Sequence, residues 1–547
     1  MTADIDILLC SRRGGMKWDS MVRRRGLLAA GALGASAMFF EDRVAGADRP
    51  HERPAGRADI VDNTAGISSG QAQRPIVEAL SYPEHRTAAQ LAADGPYAYR
   101  QVEALSTAQA RQRVDRLIDV IRARQNAALD HLGVPFDRYR PAGSGTEVLV
   151  ARGELIVRMD LPRATQASDG TSPDTDALSE AVTARMNALG YARVADRSPE
   201  LTASAQTRPS PPPTAVFRSH KTPNETARDL LALRAAGVVA AMNVVVPLGH
   251  TIKGDDYPVI TQRIPPRPGA TPAAVRVAVI DTGIAAEPRG DGWLNGVMAE
   301  TDNIDPLDVL PTNGRLDWGS GHGTFTAGIV QQMAPRCEIV AYRFTRSDGL
   351  GTEKDVADTL VRAARDAHAA GVPTIINASL GTPAIDGVPP MAMRDAVEFI
   401  AASYPEVLII ASAGNLGSTE PIYPAAFDGV VAVGALTDDL RPATFSSHGS
   451  WVRCSTVGIG IVSTFVRGVV PPEPDPLVPD QNFGYDACAM WSGTSFSAPQ
   501  ISGAIARLCY DNPGLTPHSA LDALLTGQPE LPGYGRILRL LPGTPTP

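Results

Sequence analysis

The chain has 547 residues, 44% of them apolar, and a formal net charge of -9. That length accommodates two to four domains of about 150 residues each, and the apolar fraction is enough for buried cores. The acidic balance argues against nucleic-acid or membrane-surface binding, which rely on basic patches.

In chain order, Arg23-Arg24-Arg25 leads into an apolar run over 26–40, and Ala45-Gly46-Ala47 then offers small residues for cleavage. A positive stretch, a short apolar run and a small-residue site describe a secretory signal over 1–47, and the paired arginines suggest the twin-arginine route. Residues 1–22 precede those arginines, so Met16 or Met21 is an alternative start. The run is too short for an ordinary transmembrane helix. No other apolar stretch is long enough, so no membrane anchor is expected. The competing reading is an apolar segment of a cytoplasmic protein.

Residues 48–84, rich in Arg, Pro, Gly and Asp, read as a leader. Over 86–132, Leu105, Ala108, Val114, Leu117, Val120 and Ile121 recur near helical spacing, so 48–146 is expected to be a leader followed by a helical region. Residues 147–247 carry a different pattern. A strand is predicted over 148–159, broken by Gly153, then a helix over 176–189 and a short strand over 191–195. A Ser/Pro-rich loop follows, then a strand at Val216-Phe217. Thr222-Pro223-Asn224-Glu225 opens a helix to about residue 236, with Thr as the cap, Pro in the first turn and Glu three residues after the cap. A strand over 238–247 closes the unit. The order β-α-β-β-α-β is that of a ferredoxin-like α+β plait. The prolines of 248–272 mark a linker.

From 274 onward, β-branched runs over 275–280, 339–344, 374–378, 407–413 and 430–433 alternate with helical stretches such as 353–370 and 392–403. Continuous apolar strands separated by helices indicate an α/β fold, a doubly wound, mostly parallel sheet covered on both faces. The Pro-rich segment 466–490 reads as a surface loop. Cys337, Cys454, Cys488 and Cys509 all fall in this half of the chain. No Cys or His spacing suits zinc, and free thiols and disulfides both remain open.

Three short motifs carry chemistry: Val277-Ala278-Val279-Ile280-Asp281-Thr282-Gly283, then Gly321-His322-Gly323-Thr324, then Ser492-Gly493-Thr494-Ser495-Phe496-Ser497-Ala498-Pro499. Asp, His and Ser in that chain order can build a nucleophilic triad. Ser495 is the candidate nucleophile. It sits before a helix predicted over 496–510, where partial positive charge favours an anionic transition state, and Pro499 suits that helix's first turn. His322 is the candidate base, since a serine hydroxyl is weak without one. Asp281 ends a buried strand, where α/β enzymes place their sites, and can fix the histidine tautomer. Asp302, Asp305 and Asp317 lack that strand context.

At these residues the chain resembles the subtilisin-like serine peptidases, the subtilase family, over roughly 271–540. The resemblance implies a peptidase domain over 273–540 that hydrolyses peptide bonds through an acyl-enzyme. It implies that Asn415, in Ala413-Gly414-Asn415, contributes to the oxyanion hole with the Ser495 N–H. It implies that Ser379, Leu380 and Gly381 bind the substrate backbone. Tyr423-Pro424-Ala425 and Thr444-Phe445-Ser446 match later framework segments. The plait over 147–247 is similar to the prodomains of this family, which assist folding and inhibit their own enzyme, and 248–272 is where maturation cleavage is expected. Calcium sites are common in the family, but no ligand cluster of specific spacing stands out, so no cofactor is assigned. The expected partners are a protein or peptide substrate and the chain's own prodomain. The rival readings are a catalytically silent peptide-binding protein of the same fold and a cytoplasmic, partner-regulated peptidase. A serine esterase fits poorly, because Ser495 lies in no G-x-S-x-G elbow.

Overall fold

The structure, a computed structural model, describes residues 135–141, 147–160, 175–195, 210–248, 258–261, 264, 272–310, 312–470 and 481–541. The expected signal over 1–47, the leader and the helical stretch over 86–132 lie outside the described residues.

The N-terminal described unit runs β1 (Phe136–Tyr139), β2 (Val148–Arg158), α1 (Thr175–Ala188), β3 (Ala192–Arg193), β4 (Thr214–Arg218), α2 (Pro223–Ala235) and β5 (Ala240–Pro247). The sheet order is β3-β4-β2-β5, every pairing antiparallel. Alternation along β2 divides its side chains. Leu155 and Val157 join Val182 and Met186 of α1 and Leu230 and Leu233 of α2 in one apolar cluster. Ile156, between them, points the other way. α2 begins with a complete capping box, the Thr222 side chain on the Glu225 N–H and the Glu225 side chain on the Thr222 N–H.

Three expectations need correcting here. Gly153 does not break β2; the strand continues, and its register on β5 shifts between Val150 and Leu155, the bulge a glycine permits. The stretch read as helical N-terminal region contributes a strand, because β1 pairs with β2, Phe136 opposite Ala151. The linker holds one too, β6 (Val259–Ile260).

The second part continues with β7 (Arg276–Asp281), α3 (His322–Met333), β8 (Glu338–Arg343), β9 (Leu350–Thr352), α4 (Glu353–Ala370), β10 (Thr374–Ala378), β11 (Thr382–Pro383) and α5 (Met391–Ser403). Then come β12 (Val407–Ser412), β13 (Ile422–Tyr423), β14 (Val430–Leu436), β15 (Cys454–Val457), β16 (Ile461–Thr464), β17 (Gly468–Val470), β18 (Gln481–Phe483) and β19 (Cys488–Trp491). The described chain ends with α6 (Thr494–Asp511), α7 (Pro517–Leu525), β20 (Glu530–Leu531) and β21 (Gly535–Ile537).

The main sheet has the order β20-β21-β15-β14-β12-β10-β7-β8, and all of its pairings except β20 with β21 are parallel. Along β7, Val277 and Val279 pack with α3 and α6, while Ala278 and Ile280 pack with α4 and α5. Burial on both faces is why these strands are apolar without a polar alternate. The chain visits β7, then β8 on one side, then β10 on the other. This reversal opens a crevice at the C-terminal ends of β7 and β10. The segment read as a surface loop is instead partly ordered. β17 and β18 form a hairpin, and Val470 and Phe483 pack in one cluster with Phe465 and Trp491.

Candidate active site

The sheet delivers Asp281 to that crevice as the last residue of β7, fully buried. His322 arrives as the first residue of α3. The approach is close: a Cβ on Gly323 would lie 2.0 Å from the Gly283 carbonyl oxygen, so this contact needs a residue without a side chain. His322 Nδ1 stands 2.8 Å and 2.9 Å from the two Asp281 oxygens. Asp281 also accepts from the Thr282 N–H at 2.7 Å and the Thr326 hydroxyl at 3.2 Å. A carboxylate on Nδ1 keeps the proton there and leaves Nε2 as the basic nitrogen. Trp491 and Phe496 flank the ring, with centroids 5.4 Å and 5.2 Å away.

Ser495 is the second residue of α6, so the nucleophile lies inside the helix's first turn rather than before it. The helix begins earlier than the sequence indicates, which places Pro499 past the first turn. Pro499 has no N–H, so it cannot donate to the carbonyl four residues back, that of Ser495. The Ser379 hydroxyl takes that place, donating to the Ser495 carbonyl at 2.8 Å. Ser379 in turn accepts from Asn377 Nδ2 at 3.0 Å, and Asn377 Oδ1 accepts from the Ser502 hydroxyl at 3.0 Å. This buried relay ties the end of β10 to α6. Ser495 Oγ lies 3.5 Å from the Ser379 carbonyl oxygen.

Asn415 reaches the same helix terminus. Its Oδ1 accepts from the Thr494 N–H at 3.0 Å and the Thr494 hydroxyl at 2.9 Å. The amide is thereby oriented with its oxygen on Thr494, and its NH₂ is the end that can donate elsewhere. Asp281, His322, Ser495 and Asn415 are all buried, Ser495 to 2% exposure.

What covers the crevice is the plait's own last strand. β5 pairs antiparallel with β9: Val245 opposite Thr352, Val246 opposite Gly351, Pro247 opposite Leu350. On the other side the Gly381 N–H donates to the Pro247 carbonyl at 3.2 Å, and the Leu248 N–H donates to the Gly349 carbonyl at 3.1 Å. Residues 245–248 therefore lie extended between two backbone segments, as an added strand does. Val246 and Leu248 sink into the cluster that holds Val356, Leu360 and Leu380. A Cβ on Gly381 would meet Ile422 Cγ2 at 2.4 Å. The three residues expected to bind a peptide thus divide their work. Gly381 pairs with backbone, Leu380 walls an apolar pocket, and Ser379 turns inward to hold Ser495.

Sequence reasoning missed β9 as the second wall, and it passed over Asp305 and Thr282, which stand behind the Asp281–His322 pair. Asp305 gives no local signal, since its neighbours in space come from 282 and 321. The described cysteines are free thiols, and burial pushes Cys454 up to about 12 and Cys509 up to about 11, so they are poor nucleophiles. Among the described residues, no group of three or more His, Cys, Asp and Glu is arranged to hold a metal ion, and no helix is long and apolar enough to cross a membrane.

Comparison with known proteins places this geometry. A model described as the subtilase family matches residues 273–539. A thermophilic serine proteinase of Bacillus sp. (strain AK1) is 32% identical over 244 residues, covering 42% of this chain and 51% of that protein. Subtilisin BL of Lederbergia lenta is 28% identical over 45% of this chain and 80% of its own length. Subtilisin DY of Bacillus licheniformis is 29% identical over 45% of this chain and 80% of its own. The chain thus spans about half the length of the thermophilic proteinase and more of the two subtilisins. A solved lanthipeptide protease superposes over 49% of this chain and 86% of its own at TM-score 0.37 and 20% identity.

Proposed function

Through residues 273–539 the chain belongs to the subtilase family, and we propose that it is a secreted serine endopeptidase made as a zymogen, with the plait as its inhibitor. His322 Nε2 takes the proton of Ser495 Oγ as that oxygen attacks the carbonyl of a peptide bond. Asp281 holds the ring by Nδ1 and stabilises the imidazolium. The Asn415 amide and the Ser495 N–H, at the positive end of α6, donate to the oxyanion. His322 returns the proton to the leaving amine, and water then releases the acyl group from Ser495. The substrate would lie extended between β9 and Gly381, with apolar side chains in the pockets that Val246 and Leu248 fill. The linker beyond Leu248 is the expected cleavage region, and a twin-arginine signal would export the chain.

The observation that carries the reading is the Asp281–His322 pair, 2.8 Å apart at the strand-end crevice into which α6 brings Ser495. The test is intact mass of the full chain over time, beside Ser495→Ala. Cleavage between Leu248 and residue 274 in wild type, with the alanine variant whole, supports a working nucleophile and a removable plait. Both chains remaining whole would favour a latent, partner-regulated or silent protein. The N-terminal residue of protein recovered from culture medium tests the export arm.

A further inference from the structure

Behind the Asp281–His322 pair stands a second buried carboxylate, Asp305. Its loop is fastened to the turn after β7 by the Asp305 N–H, which donates to the Ile284 carbonyl at 2.9 Å. The carboxylate accepts from the Gly321 N–H at 2.8 Å, the Thr282 hydroxyl at 2.9 Å and the Leu307 N–H at 3.2 Å. Two of those donors are the chain neighbours of proposed triad members, Thr282 after Asp281 and Gly321 before His322. The Thr282 hydroxyl itself accepts from the Gly323 N–H at 3.0 Å. The backbone is thus gripped on both sides of His322, by Asp305 directly before it and by Thr282 after it. The same Thr282 donates its N–H to Asp281 at 2.7 Å. Acceptors that carry charge make the stronger hydrogen bonds, and a negative charge suits the N-terminus of α3.

Resting on the reading of Asp281, His322 and Ser495 as a triad, we infer that Asp305, acting through Thr282, is a positioning residue for the reaction. It fixes the spacing of the Asp281 carboxylate and the His322 ring, and its charge favours the imidazolium that forms as Ser495 is acylated. A misplaced catalytic group costs rate far more than it costs binding. Neither residue is placed to touch substrate, so both act through the pair in front of them.

The charge is itself titratable near neutral pH. Burial pushes the Asp305 carboxyl up to about 6, against the pull of its hydrogen-bond donors and with a further push from Asp281. The other ionisable groups around it are His322 on α3, Asp302, Asp308 and Asp317 on its own loop, and Arg343 on β8. The Arg343 guanidinium is turned to the Asp302 carbonyl at 2.7 Å. As pH falls through about 6, Asp305 takes up a proton and its support of the imidazolium is lost. Because the same charge also holds a proton on His322, the acid limb of kcat/KM should lie at higher pH with Asp305 charged than with a neutral residue in its place.

The test compares wild type, Asp305→Asn, Thr282→Val and Thr282→Ser, each matured from the full chain and normalised by active-site titration with a fluorophosphonate. Asp305→Asn and Thr282→Val should lower kcat by about 10-fold or more while KM stays within about 2-fold. Thr282→Ser, which keeps the hydroxyl, should remain near wild type. Only Asp305→Asn should move the acid limb to lower pH, by roughly half a unit or more. A readout independent of turnover is the His322 ring titration by NMR in the Ser495→Ala background, which Asp305→Asn should shift to lower pH. Should Asp305→Asn fail to fold, the Thr282→Val and Thr282→Ser pair decides. An unmoved acid limb and an unmoved His322 titration in Asp305→Asn would overturn the inference, as would an unchanged kcat in Thr282→Val. If wild type neither turns over nor labels, the peptidase reading fails, and the His322 titration still judges Asp305.

Discussion

The two sheets of this molecule are covered in different ways. The eight-stranded sheet is clothed on both faces by its own helices, α3 and α6 on one side and α4 and α5 on the other. The plait's sheet carries α1 and α2 on one face only. Its other face, Ile156 and Ala241 among it, rests on Ala357 and Val361 of α4 and Met391, Ala392 and Ala396 of α5. Arg158 adds an ion pair to Asp395 at 3.9 Å, and Arg365 donates to Ser210 Oγ at 2.9 Å. One part completes its core from its own chain segment, while the other borrows a face. A domain that borrows a face is stable where it is docked and loses that cover when it leaves, which suits the role of removable inhibitor proposed above.

Several substitutions probe this contrast. The largest effect should come from removing the chemistry proposed to separate the two parts. Ser495→Ala is expected to lower kcat by about 10⁶-fold and leave the chain uncut, read by intact mass and peptide turnover. Asn415→Ala should cost about 10²–10³-fold in kcat with KM little changed, and it should slow maturation in step. Leu155 and Ile156 are sequence neighbours, both fully buried, that face opposite ways. Truncating either to alanine should cost roughly 2–5 kcal/mol, but in different transitions. In the Ser495→Ala chain, Leu155→Ala should lower the melting of the plait itself. Ile156→Ala should leave that fold intact and loosen its docking, read by protease protection of the 245–248 strand. Identical behaviour of the two would break the comparison.

The interface also holds a carboxyl that should report on docking. Glu353 opens α4 and lines a cavity shared with Tyr139, Leu230 and Met242 of the plait. Burial pushes it up to about 8, with Asp395 adding to the rise and the Ala392 N–H, which donates at 3.1 Å, opposing it. The folded, docked state therefore binds this proton more tightly than the open chain does. The stabilisation is fully present below the ordinary glutamate value of 4.5 and is lost as pH rises through about 8. Melting of the Ser495→Ala chain should decline over that window, and the decline should be smaller in Glu353→Gln. The smallest expected effect is local to the plait. Thr222→Ala removes one capping hydrogen bond from α2 and should cost about 1 kcal/mol in thermal melting, with turnover of the matured enzyme unchanged.

What the sequence by itself determined is what neighbours along the chain can encode. Thr222 and Glu225 cap α2 within a single turn. The β-branched runs that became β7, β10, β12 and β14 declare themselves by composition, since a strand buried on both faces needs no polar alternate. Asp281, His322 and Ser495 drew attention as three short motifs in one chain order, and Asn415 came only through the family resemblance. The tertiary structure alone decided which distant groups meet. Nothing near residue 305 says that its carboxylate will hold residues 282 and 321. Nothing near 379 says that its hydroxyl will satisfy the carbonyl Pro499 leaves without a donor. The strand β1, which follows the stretch with helical spacing and carries no strand pattern of its own, pairs with the edge that β2 offers it, and β5 finds β9 only once the crevice has formed. Periodicity and caps are settled within a few residues, whereas hydrogen-bond partners across the molecule are settled by how the sheet closes.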